Sequence, residues 1–256
     1  MIEQLIQVSL LAGDIILKYY RSDLSVDTCR KSDESPLTRA DVDANKIITN
    51  HLQLNFPGIP VLSEESSLEN FEKRKDWKEL FIVDPLDGTK EFIKKNDEFT
   101  VNIAYVQGGD PKLGVVYAPA LNLMYYSDGS KAFIVSDGHT SILNVTRSKR
   151  GIVRIVTSRS HLNSDTKKFV SKFENVDFLT MGSSLKLCLI AEGKADLYPR
   201  FAPTSEWDIA AGHAVLKAAG GDILNALDHR PIKYNKANIL NPSFIAFGDE
   251  GYIKKI

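Results

Sequence analysis

The sequence has few cysteines and no long hydrophobic run. Its two cysteines, Cys29 and Cys188, stand far apart and outside any CxxC or Cys/His spacing, so neither a disulfide framework nor a structural zinc site is predicted. Such thiols fit a reducing compartment, and we expect a cytoplasmic protein. No stretch approaches the ~20 apolar residues that a membrane span needs. Peripheral attachment at the inner face of the membrane is left open.

An excess of charge of one sign is also missing. The chain of 256 residues has 32 Lys and Arg against 33 Asp and Glu, a formal net charge of -1. No basic half or acidic tail would attract nucleic acid or anionic lipid by its field alone, so we expect a small-molecule partner and no nucleic acid. The length suffices for one large domain or two smaller ones. The oligomeric state is open.

The first half of the chain predicts helices and then antiparallel strands. Apolar residues at helical spacing, among them Ile15, predict a helix over residues 5–19 and another over 41–54, which Pro57 ends. Runs rich in β-branched and aromatic residues predict the following strands: 59–62, 81–83, 100–106, 113–117, 124–126 and 132–135.

Strands and helices alternate in the second half. We predict strands at 152–157 and 176–179, helices at 164–173, 184–192 and 207–219, and further strands at Ile223 and 244–247. The pattern is typical of a mixed α+β and α/β chain. It predicts an N-terminal α+β subdomain over residues 1–140 and a C-terminal α/β subdomain over 141–256, with the site between them.

Two aspartates follow the hydrophobic strand at 81–83 and are separated by Pro85 and Leu86. Pro85 has no N–H, and Asp84 before it is biased toward extended geometry, so the chain can turn here. The carboxylates of Asp84 and Asp87 and the Leu86 carbonyl can then face one point. Three hard oxygen donors suit Mg²⁺. Taken alone, the motif also fits a surface turn with an Asp N-cap.

Other acids stand at comparable places in the chain. Glu64 follows a predicted strand, Asp208 opens a predicted helix, and Asp41 lies just beyond Thr38 near another helix start. Taken singly, each has an ordinary role at a surface or helix cap. Two carboxylates ~4 Å apart repel by about 4 kcal/mol at an effective dielectric of about 20. Convergence of Glu64, Asp84, Asp87 and Asp208 would therefore predict two divalent cations.

These residues resemble a known family. The motifs Ser63-Glu64-Glu65, Asp84-Pro85-Leu86-Asp87-Gly88-Thr89 and Trp207-Asp208, in this order, resemble the inositol monophosphatase-like, lithium-sensitive phosphatase superfamily. Within it, four further segments are similar to the bacterial 3′(2′),5′-bisphosphate nucleotidases, over a resemblance that extends from residue 35 to 242. They are 87–92, 182–186, 194–200 and 206–213.

The resemblance implies a layered α-β-α-β-α sandwich of the sugar-phosphatase type and a Mg²⁺ site with two or three ions. Glu64, Asp84 and the Leu86 carbonyl would bind the first ion, and Asp84, Asp87 and Asp208 the second. Asp41, in the family's Thr-x-x-Asp motif, would polarise the Thr89 hydroxyl. Inhibition by Li⁺ is expected on the same basis.

The resemblance also implies a substrate and a reaction. The substrate would be adenosine 3′,5′-bisphosphate, giving AMP and phosphate, with 3′-phosphoadenosine 5′-phosphosulfate as a second substrate. A water on the first Mg²⁺, oriented by Glu64, Asp41 and Thr89, would attack phosphorus in line. The positions expected to contact substrate are Glu64, Leu86, Asp87, Gly88, Thr89, His161, Ser183, Lys186, Arg200 and Asp208. For Lys186, Arg200 and His161, solvated surface roles are equally open.

Three alternatives are kept. The first is an inositol or sugar monophosphate phosphatase that uses the same site. The second is a phosphatase that forms an aspartyl phosphate, since Asp87-Gly88-Thr89 superficially fits its motif, although here the two acids are three residues apart and Pro85 intervenes. The third is a non-catalytic sensor of metal or nucleotide, because fold alone does not imply function.

Overall fold

The computed structural model of the chain describes residues 1–22, 28–30, 36–146, 151–157 and 163–255. Its helices are α1 Ile2–Tyr20, α2 Arg39–Asn55, α3 Phe71–Arg74, α4 Thr89–Ile93, α5 Ser164–Val170, α6 Leu185–Ala191 and α7 Glu206–Ala218, with a 3-10 helix at Ile253–Lys255. Among the described residues, no helix combines the length and apolar character needed to cross a membrane.

The strands form two large sheets and one small hairpin. They are β1 Thr28–Arg30, β2 Pro36–Thr38, β3 Val61–Ser63, β4 Glu79–Asp87, β5 Thr100–Gln107, β6 Asp110–Ala118, β7 Leu123–Ser127, β8 Ala132–Ser136, β9 His139–Leu143, β10 Val153–Thr157, β11 Val176–Thr180, β12 Leu197–Arg200, β13 Asp222–Asn225 and β14 Phe244–Phe247. The first sheet has the order β3-β4-β5-β6-β7-β8-β9 and the second β11-β10-β12-β14-β13, while β1 pairs with β2.

The first sheet is mostly antiparallel, as the hairpin pattern predicts, except that β3 runs parallel to β4. Helices cover both of its faces. Alternate residues of β4 point to opposite sides, since Phe81 and Val83 pack with α1 and α2 whereas Leu80 and Ile82 pack with α6 and α7. This explains why the strands contain continuous apolar runs.

The second sheet completes the layers. Its inner face shares the core of α6 and α7 with the first sheet, and its outer face packs against α5 and the 3-10 helix through Phe169 and Tyr252. The predicted layered α-β-α-β-α sandwich is therefore confirmed. The division into units 1–140 and 141–256 stays a prediction.

α7 lies close to the first sheet because Gly114 of β6 has no side chain. A β-carbon at this position would lie 2.3 Å from the carbonyl oxygen of Ala211 and 2.8 Å from the Ala214 β-carbon. The backbone of β6 can therefore approach the middle of α7. This contact helps to fix the helix whose first turn carries Asp208.

Several local predictions were wrong in detail. In α1, Ile16 is fully buried, whereas Ile15, which the apolar spacing placed on the buried face, is only partly buried. α5 ends at Val170 rather than at residue 173, and β1, β2, β9, β12 and α3 were not predicted. The strand predicted at 81–83 continues to Asp87, because β4 keeps pairing with β5 through a bulge between Asp84 and Asp87.

Candidate active site

A cleft between the two sheets brings together two of the predicted acids, Asp87 and Asp208, and two of the predicted cations, Lys186 and Arg200. Glu64, Asp84 and Asp41 are not among the residues that line it. Its volume is ≈ 200 Å³. It is lined by Asp87, Gly88, Lys90, Glu91, Met181, Gly182, Ser183, Ser184, Lys186, Leu187, Tyr198, Arg200, Thr204, Asp208 and Ile209. These residues come from the turn after β4, from the start of α6, from the end of β12 and from the first turn of α7.

Glu64 and Asp84 are brought together by strand pairing. β3 and β4 run parallel with Ser63 opposite Val83, and the Glu64 N–H donates to the Val83 carbonyl at 3.1 Å. The two acids therefore follow paired residues at the same edge of the sheet. Asp84 is 1% exposed.

The four acids act on one another electrostatically. Burial raises the pKa of Asp84 well above its usual value, and the charges of Glu64, Asp87 and Asp208 raise it further. Loss of hydration raises the pKa of Asp208 to about 8, with the charge of Asp87 as the next cause. The pKa of Asp87 is also raised by loss of hydration, although Lys186 and Ser184 oppose the shift.

The donor set fits a hard divalent cation. Carboxylates and a peptide carbonyl are the oxygen ligands that Mg²⁺ prefers, and positive charge would relieve the repulsion that raises these pKa values. Within the described ranges, no three acidic, histidine or cysteine side chains already converge as a closed ligand set.

Asp41 is held by its own helix and faces Thr89. It is 2% exposed and forms a capping box at the start of α2, where it accepts hydrogen bonds from the Thr38 N–H at 2.8 Å and the Thr38 hydroxyl at 2.5 Å. Its other oxygen lies 3.5 Å from the Thr89 hydroxyl, which is also 3.4 Å from the Leu86 carbonyl. The structure thus brings Asp41 to Thr89.

The turn before Thr89 needs a glycine. Gly88 has φ +90°, in the left-handed region that favours glycine, and a β-carbon there would lie 3.1 Å from the Glu98 carbonyl oxygen. The tight turn places Thr89 at the first position of α4.

Lys186 is not a solvated helix residue. It is 9% exposed, its Nζ donates to the Ser183 carbonyl at 2.5 Å, and it lies 5.6 Å from the centroid of the Tyr198 ring. Its positive charge opposes the rise in the pKa of Asp87 that burial causes. Across the cleft, Arg200 donates to the Pro203 carbonyl at 3.2 Å. The charge of Arg200 opposes the rise in the pKa of Asp208.

Ser183 and His161 were also predicted to contact the substrate. Ser183 lines the cleft and has φ +45°, an uncommon backbone conformation for a residue with a side chain. His161 lies outside the described residues.

Sequence reasoning missed Asn102 and the hydroxyl role of Ser184. The amide Nδ2 of Asn102 lies 2.9 Å from the Ser184 hydroxyl and 3.4 Å from Oδ2 of Asp87. A signal was present, because Asn102 interrupts the buried apolar strand β5, and a buried amide requires hydrogen-bond partners. The cleft residues Lys90, Glu91, Met181, Tyr198 and Thr204 were also not predicted to be part of the site.

The layered fold and a cleft that holds Asp87 and Asp208 beside Lys186 and Arg200 fit a phosphatase of the layered-sandwich class. The model of the inositol monophosphatase family matches residues 1–254, and the chain belongs to that family. The predicted resemblance is confirmed.

Individual relatives agree with the family assignment. The chain is 44% identical over 245 residues to the 3′(2′),5′-bisphosphate nucleotidase CysQ of Shigella flexneri, covering 95% of this chain and 98% of the relative. The crystal structure of CysQ from Bacteroides thetaiotaomicron is similar with a TM-score of 0.84 and 41% identity, covering 96% of each chain. The extragenic suppressor protein suhB from Bartonella henselae aligns with a TM-score of 0.78 and 26% identity, covering 99% of this chain and 96% of the other.

Proposed function

We propose that the protein is a Mg²⁺-dependent 3′(2′),5′-bisphosphate nucleotidase. It removes the 3′-phosphate of adenosine 3′,5′-bisphosphate and releases AMP and phosphate, and it also accepts 3′-phosphoadenosine 5′-phosphosulfate. The observation that carries the proposal is the 44% identity to a named nucleotidase over 98% of that relative's length. The cleft supports it, because acids and cations lie side by side there.

The proposed metal ligands are the carboxylates of Glu64, Asp84, Asp87 and Asp208 and the Leu86 carbonyl. When bound, Mg²⁺ would neutralise the clustered carboxylates and the phosphate oxygens and would make water a better nucleophile at neutral pH. We propose two or three ions per site and inhibition by Li⁺, as the resemblance implies.

The side chains around the acids orient the reactants. Asp41 accepts the hydrogen of the Thr89 hydroxyl, so that the oxygen of Thr89 can accept a hydrogen bond from the attacking water. Glu64 holds the same water from the other side. Because the attack is direct and in line, no aspartyl phosphate forms on Asp87.

The cations of the cleft give the preference for a substrate with two phosphates. Lys186 and Arg200 lie close enough to Asp87 and Asp208 to act on their carboxyl groups. With the 3′-phosphate held at the acids, these two cations would supply charge for the 5′-phosphate. Ser183 and Gly88 complete the lining of the cleft. An inositol monophosphate has no second phosphate to use these cations, which is why we place it second.

The deciding experiment measures phosphate release from adenosine 3′,5′-bisphosphate and from inositol 1-phosphate, with and without Mg²⁺ and Li⁺. We expect a Mg²⁺-dependent, Li⁺-sensitive preference for the nucleotide. Asp84→Asn should remove turnover, whereas Asp128→Asn, in a surface turn, should retain it. A clear preference for the inositol ester would overturn the substrate assignment, and nucleotide binding without any phosphate release would favour a sensor.

We also propose a cytoplasmic location, because the two cysteines have no disulfide spacing.

A further inference from the structure

Ser184 contacts both halves of the acidic site. Its backbone N–H donates to Oδ2 of Asp87 at 2.6 Å, and its hydroxyl donates to the main-chain carbonyl of Asp208 at 2.6 Å. Asp87 ends β4 of the first sheet, whereas Asp208 lies in the first turn of α7. One residue at the start of α6 therefore connects the two chain segments that carry these carboxylates.

Asn102 determines the direction in which the Ser184 hydroxyl points. Its Nδ2 donates to the Ser184 oxygen at 2.9 Å, and its Oδ1 accepts a hydrogen bond from the Thr100 hydroxyl at 3.0 Å. A serine hydroxyl has one hydrogen to donate and lone pairs with which to accept. With Asn102 on its accepting side, the hydroxyl directs its hydrogen to the Asp208 carbonyl. Thr100, Asn102 and Ser184 are all buried, so water does not compete for these bonds.

We propose that Ser184 and Asn102 are positioning residues that hold Asp87 and Asp208 at the separation required to share one divalent cation. This inference rests on the proposed function. Like charges on the two acids push β4 and α7 apart. A buried bridge of uncharged groups between the same two segments resists that movement. The ligands are then already near each other before the ion arrives.

The expected loss of metal affinity can be taken from residues that hydrogen-bond to metal ligands in other proteins. Their loss typically costs about 10- to 100-fold in metal affinity or activity, because the ligands themselves remain but are held less well. A serine that served only to fill the core would lower stability and leave metal affinity unchanged.

The test uses Ser184→Ala in the full chain, since this change removes the hydroxyl and retains the N–H that binds Asp87. Mn²⁺ binding is followed by electron paramagnetic resonance, and Mg²⁺ by the rise in melting temperature. We expect about ten-fold weaker Mn²⁺ binding. We also expect a similar rise in the Mg²⁺ concentration for half-maximal rate, with the KM for the nucleotide within about two-fold of wild type.

Asn102→Ala tests whether Asn102 acts on the metal site through the Ser184 hydroxyl. Because Asn102 orients the Ser184 hydroxyl, the double variant should bind Mn²⁺ no more weakly than Asn102→Ala alone. Effects that multiply in the double variant would show that the two residues act separately and would overturn the bridge.

Ser127→Ala is the matched control. Ser127 is also fully buried and its hydroxyl oxygen accepts one hydrogen bond, from the Gly114 N–H at 3.1 Å, but it belongs to β7 and contacts none of the acids. This variant should lose some stability and bind Mn²⁺ like wild type. A Ser184→Ala protein that behaves in the same way would overturn the proposal.

Two further outcomes are distinguishable. If Ser184→Ala does not fold, Thr100→Val is the deciding variant, since it removes only the hydroxyl that orients Asn102. Weaker Mn²⁺ binding by Thr100→Val would support the proposal, and Mn²⁺ binding like that of wild type would overturn it. If wild type releases no phosphate from the nucleotide while Ser184→Ala still weakens Mn²⁺ binding, the proposed function fails and the positioning role stands.

Discussion

Asp41 and Asp208 occupy the same position in two different helices. Each is the third residue of its helix and closes a capping box, with Thr38 in α2 and with Ser205 in α7. One oxygen of Asp208 accepts the Ser205 N–H at 2.8 Å, as one oxygen of Asp41 accepts the Thr38 N–H. The helix caps thus orient two acids of the site, and each acid has a structural task beside its proposed catalytic one.

The two tasks of Asp208 can be separated by two substitutions. Asp208→Asn retains an oxygen that can accept the Ser205 N–H but removes the charge, so we expect loss of turnover with the fold kept. Asp208→Ala also removes the cap, which should cost about 1 kcal/mol more in unfolding free energy. Urea unfolding and phosphate release of both variants check this. Equal stability of the two variants would argue against the cap.

In the metal-free protein, the contribution of Asp208 to stability should fall as pH rises from about 4 to about 8. The pKa of Asp208 is raised from 3.8 to about 8 in the folded state, so in this range the folded chain binds more protons than the unfolded chain. Deprotonation then favours unfolding. In EDTA, Asp208→Asn should lose less stability than wild type across this range. Parallel pH curves of the melting temperature for the two proteins would contradict this prediction.

Mg²⁺ should stabilise the protein more at pH 8 than at pH 5. At pH 5 the acids of the site with raised pKa retain protons, which compete with the metal. At pH 8 more of them are charged, and a ligand that binds only the folded state raises its stability. Thermal scans with increasing Mg²⁺ at both pH values measure the effect. Asp84→Asn serves as the control and should show a much smaller Mg²⁺-induced shift.

His213 should make the folded protein less stable below pH 6.5. It is buried, which lowers its pKa, and it lies between the Tyr234 hydroxyl at 2.9 Å and Oδ1 of Asp222 at 2.7 Å. The unfolded chain therefore binds a proton that the folded chain resists, and stability falls as pH falls below 6.5. The difference in unfolding free energy between wild type and His213→Gln should shrink from pH 7.5 to 5.5. An unchanged difference would show that His213 does not titrate in this way.

Gly114→Ala should move α7 and affect the site from a distance. Its new methyl group would overlap the Ala211 carbonyl oxygen, so we expect a loss of about 1–3 kcal/mol in stability. Turnover should fall as well, since Asp208 lies on the displaced helix. Gly58→Ala is the matched control, because a β-carbon there meets nothing within 4 Å. Wild-type turnover in a destabilised Gly114→Ala protein would show that the contact between β6 and α7 does not affect the site.

The sequence predicted most of the elements that surround the site. Apolar spacing indicated α1, α2 and α7, and β-branched runs indicated β5 to β8, because periodicity and stop residues are local properties. The short helix α3 and the exposed strand β9 were missed, since neither has an apolar pattern that distinguishes it from a loop. The continuation of β4 to Asp87 was missed because it depends on the pairing partner β5.

The order of residues along the chain was sufficient to place Asp84, Leu86 and Asp87 close together at the end of one strand and to make Asp41 and Asp208 first-turn residues of helices. These features depend on neighbours a few positions away. That Glu64 lies beside Asp84, and that Ser184 links Asp87 to Asp208, depends instead on folding. Parallel pairing of β3 with β4 brings Glu64 and Asp84 together across 20 positions, and the packing of α6 and α7 between the sheets brings Ser184 to Asp87 across 97 positions. No local pattern carries that information, because the free energy of those contacts arises only when the layers assemble.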